Sequence, residues 1–269
     1  MLLFLYFRLT MKYIKYIFFL FSILVFSQEN IKTKLLLKTE IQADSIIGID
    51  NFNTSIYTKN NTLIKNKEGE ILKYSNLQLG EITSANSFNP LKINVFYKSF
   101  NTVIILDNRL AEIFKIDFNL TKPYKNVSHI ATGSDNTIWI FNQDLMQLEL
   151  YDYKTNTVRA KTLPITSNVL DLASNYNSCW LLTKNHIYKY NYFGSLVSKS
   201  PNNGYTQIKE TNENIILKKE NTLYFLDKNT NTIQTIDIQN LLISQFLVTN
   251  QIIYIYTGGF LHQYQLKIK

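Results

Sequence analysis

The chain has 269 residues, of which 45% are hydrophobic and 14% aromatic, and 28 basic against 20 acidic side chains give it a formal charge of +8. Setting aside Arg8, Lys12 and Lys15 of the leading segment leaves 25 basic against 20 acidic, or +5, carried almost wholly by lysines scattered along the chain. That distribution does not imply a nucleic-acid footprint, which needs its Lys and Arg gathered on one element.

Residues 1–27 read as an export signal. Met1 and Met11 are both candidate starts, Lys12 and Lys15 supply a basic flank, and the apolar run from Tyr16 to Phe26 is too short for a membrane span of about 20 residues. Val25 and Ser27 set cleavage between Ser27 and Gln28, so the mature chain is expected to be residues 28–269, periplasmic or at the cell surface and without a membrane span. Cys179 is the only cysteine, so no intramolecular disulfide forms, and none stands at the cleavage point to carry a lipid.

The mature chain repeats one plan. Lys32-Thr-Lys-Leu-Leu-Leu-Lys-Thr39 is an unattached strand. Two-strand units then occur at Ser55–Tyr57 with Thr62–Asn66, Val103–Leu106 with Leu110–Asp117, and Asn136–Asp152. Three more follow at Cys179–Leu182 with His186–Asn191, Ile215–Leu217 with Thr222–Asp227, and Ile252–Ile255 with Phe260–Tyr264. A further run precedes each unit: Ile46–Ile49, Ile93–Tyr97, Val127–Ala131, Val169–Ala173, Tyr205–Ile208 and Ile243–Val248. After the unit comes an Asp or Asn, then a turn ending in Thr or Gly, then another strand; these side chains cap turns by bonding backbone two residues on. The markers Asn66, Asp117, Asp152, Asn191 and Asp227 are spaced by 51, 35, 39 and 36 residues.

A period near 40 with four strands per unit predicts an all-β protein, a six-bladed β-propeller with four-stranded antiparallel blades. The sixth copy lacks a fourth strand, and the spare N-terminal strand is expected to supply it, closing the ring and removing its free edges.

The turns Asp152-Tyr-Lys-Thr-Asn-Thr-Val158 and Asp227-Lys-Asn-Thr-Asn-Thr-Ile233 resemble those of the quinoprotein-type propeller repeat. Over residues 40–268 the pattern resembles the secreted β-propeller repeat proteins of Bacteroidetes-type bacteria, with degenerate quinoprotein-like and WD40-like repeats. Val158 is followed by Arg-Ala-Lys where the quinoprotein repeat has Gly and Trp, and Trp139 and Trp180 are followed by Ile140 and Leu181 rather than Asp. No quinone or other cofactor is expected. What the resemblance implies is a binding or scaffolding surface made from loops at one end of the ring.

Residues able to do chemistry are sparse. His129, His186 and His262 have no partner at metal-ligand spacing and read as strand residues. Cys179, beside Trp180, reads as a small core residue. Asp107, Asp117, Asp135, Asp144 and Asp152 fall at turns where Asp serves the backbone. There is no Gly-x-Ser-x-Gly elbow and no phosphate-binding glycine loop.

Two groups are nominated for partner contact. One is a tyrosine set, Tyr151, Tyr153, Tyr188, Tyr190, Tyr192 and Tyr205, which would form a platform if exposed on one face. The other is the least repeat-like connector, Leu77–Lys92, with Asn86, Phe88 and Asn89.

These residues favour a non-enzymatic module that binds a protein or cell-envelope component. A propeller-fold lyase or hydrolase would need convergent acids or histidines with perturbed pKa in the central channel. A structural subunit of an envelope assembly would depend on its partners for solubility. N-terminal sequencing of the exported protein is expected to begin at Gln28; a chain that keeps residues 1–27 would overturn the cleavage.

Overall fold

The computed structural model describes residues 30–268 apart from 51, 53, 239 and 240, so the export signal lies outside the described residues. Strand β1 (Ile31–Glu40) comes first. Four antiparallel four-stranded sheets follow. They are β2 (Ser45–Ile49), β3 (Ser55–Lys59), β4 (Thr62–Lys67) and β5 (Glu70–Tyr74); then β6 (Ser84–Asn86), β7 (Ile93–Tyr97), β8 (Thr102–Leu106) and β9 (Glu112–Asp117); then β10 (Val127–Thr132), β11 (Thr137–Asn142), β12 (Gln147–Asp152) and β13 (Thr157–Lys161); then β14 (Val169–Ser174), β15 (Ser178–Thr183), β16 (His186–Asn191) and β17 (Leu196–Pro201). A fifth sheet has eight strands. It joins β18 (Gln207–Thr211), β19 (Asn214–Lys219), β20 (Thr222–Leu226) and β21 (Ile233–Asp237) to β22 (Gln245–Thr249), β23 (Ile252–Thr257) and β24 (Phe260–Lys267) through β1, in the order β18-β19-β20-β21-β1-β24-β23-β22.

The expected N-terminal strand thus pairs with the last strand. β1 runs antiparallel to β24 from Lys32 opposite Lys267 to Glu40 opposite Phe260, but touches β21 only through the parallel pairs Ile31–Ile236 and Lys32–Asp237. The first strands of successive four-stranded units adjoin in closed order: β2 beside β6, the β6–β7 hairpin beside β10, then β14, β18, β22 and back to β2. Two 3-10 turns, Leu77–Leu79 and Lys98–Phe100, are the helical segments among the described residues, and none of these is long and apolar enough to cross a membrane.

Local chemistry explains the turns. Asn60-Asn61, Glu68-Gly69, Asn212-Glu213 and Gly258-Gly259 all have positive φ at both positions. That is the two-residue hairpin turn whose twist matches the strands it joins. The polar markers cap the wider turns. Asp107 Oδ1 accepts from the N–H groups of Arg109 (2.8 Å) and Ala111 (2.9 Å), Asn191 Oδ1 from Phe193 and Ser195 (both 3.0 Å), and Asp227 Oδ1 from Asn229 (2.8 Å) and Thr230 (2.9 Å).

One expectation about phase is corrected. Ile93–Tyr97 is the second strand of its sheet, not the first, and Glu112–Asp117 is the fourth. The first strand is Ser84–Asn86, inside the least repeat-like connector, Leu77–Lys92. The marker of this repeat is therefore Asp107, and the intervals from Asn66 become 41, 45, 39 and 36. The misreading arose because Asp117 makes a similar turn, accepting from Asn119 N–H at 3.0 Å, and because a three-residue Ser-Ala-Asn strand has no apolar run to announce it.

Middle strands are more buried than outer ones. Ile93–Tyr97, Thr137–Asn142 and Ser178–Thr183 are buried at every position, whereas the outermost Leu196–Pro201 is exposed throughout. Five apolar clusters fill the spaces between neighbouring units: Leu63 with Val95 and Ile104, Phe96 with Ile138 and Tyr151, Trp139 with Leu181 and Cys179, Trp180 with Ile215 and Leu217, and Phe225 with Phe246 and Leu266.

Around the inner strands these clusters are reinforced by hydrogen bonds from side chains across the junctions. Asn86 Oδ1 accepts from Thr132 Oγ1 (2.7 Å), Ser174 Oγ donates to Thr132 O, Asp171 Oδ2 accepts from Ile208 N–H (2.9 Å), and Thr211 Oγ1 donates to Asn250 O (2.8 Å). Gln245 joins β22 to β2: its Oε1 accepts from Ile46 N–H (2.7 Å) and its Nε2 donates to Ile46 O (2.8 Å) and Ser45 Oγ (2.9 Å). Gln245→Ala leaves the Ile46 N–H without this acceptor and is expected to lower stability by about 1–3 kcal/mol, read by chemical denaturation. Loss below about 0.5 kcal/mol would show that the junction does not depend on this side chain.

Candidate functional site at the ends of the inner strands

A cavity of about 380 Å³ opens where the inner strands end. Its wall is built from the C-terminal halves of β2, β14, β18 and β22, with β6 and the loop that follows it. Ile49, Ala85, Ala173 and Val248 give it apolar wall, and Asp50, Ser87, Ser174, Lys209, Glu210 and Thr249 bring polar groups to it.

Phe88 lines this cavity from the loop after β6, and its ring meets Tyr176, from the loop after β14, edge-on at 5.0 Å and 72°. Both remain exposed, at 41% and 45%. Close approach elsewhere in the wall is set by Gly48, where a Cβ would lie 2.1 Å from Ser87 Oγ.

The nominated connector therefore contributes to the site through Asn86 and Phe88. Asn89 is half-buried and turns the loop, its Oδ1 accepting from Leu91 N–H at 3.0 Å. The tyrosine set does not form a platform. Tyr151, Tyr153, Tyr190 and Tyr205 are buried in the clusters between sheets, because strand alternation turns their rings toward a neighbouring sheet. Tyr188 is half-buried and stacks on Tyr190 at 5.9 Å. Tyr192 alone of the six is exposed, packed on Phe193 at 4.0 Å.

A carboxylate pair that sequence reasoning passed over sits beside the cavity. Glu210 Oε1 accepts from Asn175 Nδ2 (3.1 Å) and from the backbone N–H of Glu213 (2.8 Å), and burial pushes its pKa up. Glu213 is driven the other way. Burial would raise it, but Lys189 Nζ at 2.8 Å and Asn175 Nδ2 at 2.7 Å outweigh that and hold it below the usual range. The two carboxyls, which share Asn175 as a donor, are thus pushed in opposite directions by their surroundings. The short Glu-x-x-Glu spacing was its only mark in the sequence.

His129 and Asp171 occupy matching positions just after β-bulges in β10 and β14. Burial lowers the His129 pKa and Asp171 opposes this; its Nδ1 lies 2.9 Å from Ser128 Oγ. Cys179 is buried and its thiol is pushed up by burial, as suits a core residue rather than a nucleophile. Among the described residues no group of three or more His, Cys, Asp or Glu is placed to hold a metal ion.

Solved structures with similar architecture include virginiamycin B lyase from Staphylococcus aureus, at a TM-score of 0.60 and 14% identity over 87% of this chain and 99% of that one. The fold is a β-propeller. The Pan2 WD40 domain of Neurospora crassa aligns at 0.57 and 10% identity over 84% of this chain and 76% of that one, and BamB from Moraxella catarrhalis at 0.50 and 13% over 86% and 73%. No protein-family model matches the chain, and no curated protein sequence does. At such identities the likeness is one of fold, which an enzyme and non-enzymes share.

The Glu210 assignment has a pH signature. A carboxyl whose folded pKa is raised takes up its proton more readily in the fold, so ionising it costs stability as pH rises from the unfolded value through the folded one. Glu210→Gln keeps an oxygen for both hydrogen bonds and removes the charge. The variant is expected to melt higher than the native protein near pH 7, with the difference vanishing below about pH 4; an equal difference at both pH values would contradict the assignment.

Proposed function

We propose that this chain is an exported six-bladed propeller that binds a protein or polymer partner, without catalysis, at the ring end where the cavity opens. The six-blade count treats the eight-stranded sheet as two blades meeting at the brief β1–β21 contact, with β1 as the outer strand of the last blade. Export follows from the signal-like residues 1–27.

The observation that carries the binding reading is the exposed Phe88–Tyr176 pair beside a cavity of mixed apolar and polar wall. Exposed aromatics over a concave surface with a few polar groups are what recognition sites use to anchor a protruding side chain. At about 380 Å³ the cavity admits the tip of a partner's loop rather than a folded element. The similarity to a WD40 domain and to BamB agrees with a propeller that need not be an enzyme.

Affinity capture from the envelope fraction tests this. The Phe88→Ala/Tyr176→Ala double variant is expected to lose at least about tenfold of whatever the native protein retains, consistent with hot-spot losses above 1 kcal/mol. A Val197→Ser variant on the outer strand is expected to retain it. Unchanged capture by the double variant would overturn the reading, and stoichiometric recovery of an envelope complex would make the chain a subunit of that assembly.

A second reading, a lyase or hydrolase, is favoured by Glu210 and Glu213, and a lyase is among the similar structures. It expects Glu210→Gln to abolish turnover while leaving capture intact.

A further inference from the structure

The junction between the last four-stranded unit and the first is built unlike the other five. Instead of an apolar cluster it holds a groove of about 470 Å³, between β1, β23 and β24 on one side and β3 and β4 on the other. The chain crosses beneath it from β1 to β2. Tyr256 OH fastens that crossing by donating to Ala43 O (2.8 Å) and accepting from Ala43 N–H (3.1 Å), and Ile41 N–H donates to Gly259 O (2.9 Å). Those bonds fasten the crossing to the last unit, and Lys59 Nζ fastens it to the first through Gln42 Oε1 at 3.2 Å.

We infer that this groove is a binding site for a neutral carbohydrate of one or two sugar rings. Its walls carry Ser55, Tyr57, Tyr254 and Gln263, whose side-chain hydroxyls and amide make no hydrogen bond among the described residues. Idle donors and acceptors in a partly enclosed groove are satisfied by water or by a ligand rich in hydroxyls. The half-buried Tyr57 ring adds a flat apolar face with a polar tip, suited to a ring that is apolar on one face and polar at its edge, while Tyr254, 5% exposed, forms the floor.

The charges also select. Glu40 and Lys59 both line the groove, so it has no net formal charge, and Lys59 Nζ is already bonded to Gln42 Oε1 at 3.2 Å. The formal charges of the lining cancel, so the groove as a whole favours neither an anion nor a cation. A peptide strand would find no edge to pair with, since β3 is hydrogen-bonded to β2 and β4, and β24 to β1 and β23. The volume lies within the range of about 300–1,000 Å³ typical of small-ligand sites.

Titration calorimetry of the full chain with maltose, cellobiose and chitobiose, with sialyllactose and tri-alanine as charged and peptide comparators, decides it. At least one neutral disaccharide is expected to saturate below about 10 mM. Gln263→Ala is expected to weaken that binding at least about tenfold, and Tyr57→Phe, which removes one hydroxyl and keeps the ring, by about three- to tenfold. Phe88→Ala, at the other cavity, is expected to leave it unchanged. Should Gln263→Ala not fold, Tyr57→Phe alone decides. The inference fails if no neutral disaccharide saturates by that concentration, if Tyr57→Phe binds like the native chain, or if tri-alanine is preferred.

Discussion

Each four-stranded unit of this protein has two apolar faces and no means of covering either by itself. The structure depends on neighbouring units covering one another in a closed order, so that the space between two sheets is filled by side chains from both. Second strands such as Thr137–Asn142 are buried at every position because they have a neighbouring sheet on each face, while the outermost strands reach solvent. Stacking of this kind makes stability a property of junctions more than of single sheets.

The junctions are polar as well as apolar. Near the ring centre, where inner strands converge, polar side chains bond directly to backbone in the next unit, as Ser174 does to Thr132 O and Gln245 to both backbone groups of Ile46. Short side chains permit close approach, and close approach requires that buried backbone groups find partners. That requirement accounts for Gly48 against Ser87 and for the Ser-Ala-Asn inner strand. The same convergence leaves a cavity at the strand ends, where loops of uneven length determine how far Phe88 and Tyr176 extend over it.

Closure between the chain's two ends differs from the continuous turns elsewhere. β1 is long and bulged at Leu35–Leu37, pairs fully with β24, and then must cross from the outer side of one unit to the inner side of the next. A crossing segment occupies the space that apolar side chains fill at other junctions. The resulting groove is the geometrical consequence of sealing the order with an N-terminal strand.

Much of this was legible in the residues. Apolar runs bounded by polar turns, the Asp and Asn markers and the missing last strand all act locally, through strand alternation and turn capping, and so can be read along the chain. Ser84–Asn86 was not legible, since a three-residue strand of small polar residues carries no periodic signal and is made a strand only by pairing with Ile93–Tyr97.

The tyrosines mark the boundary between the two kinds of information. The sequence by itself determined that Tyr151, Tyr153, Tyr190 and Tyr205 lie on or beside strands, because their neighbours alternate. Only the tertiary structure decided that they are core, since whether a strand face meets water or another sheet depends on which unit stands beside it. The same holds for the Glu210–Asn175–Glu213 bridge and the groove at closure, which exist because residues from separate units, or from the first and last strands, are brought together by the closed order of the sheets.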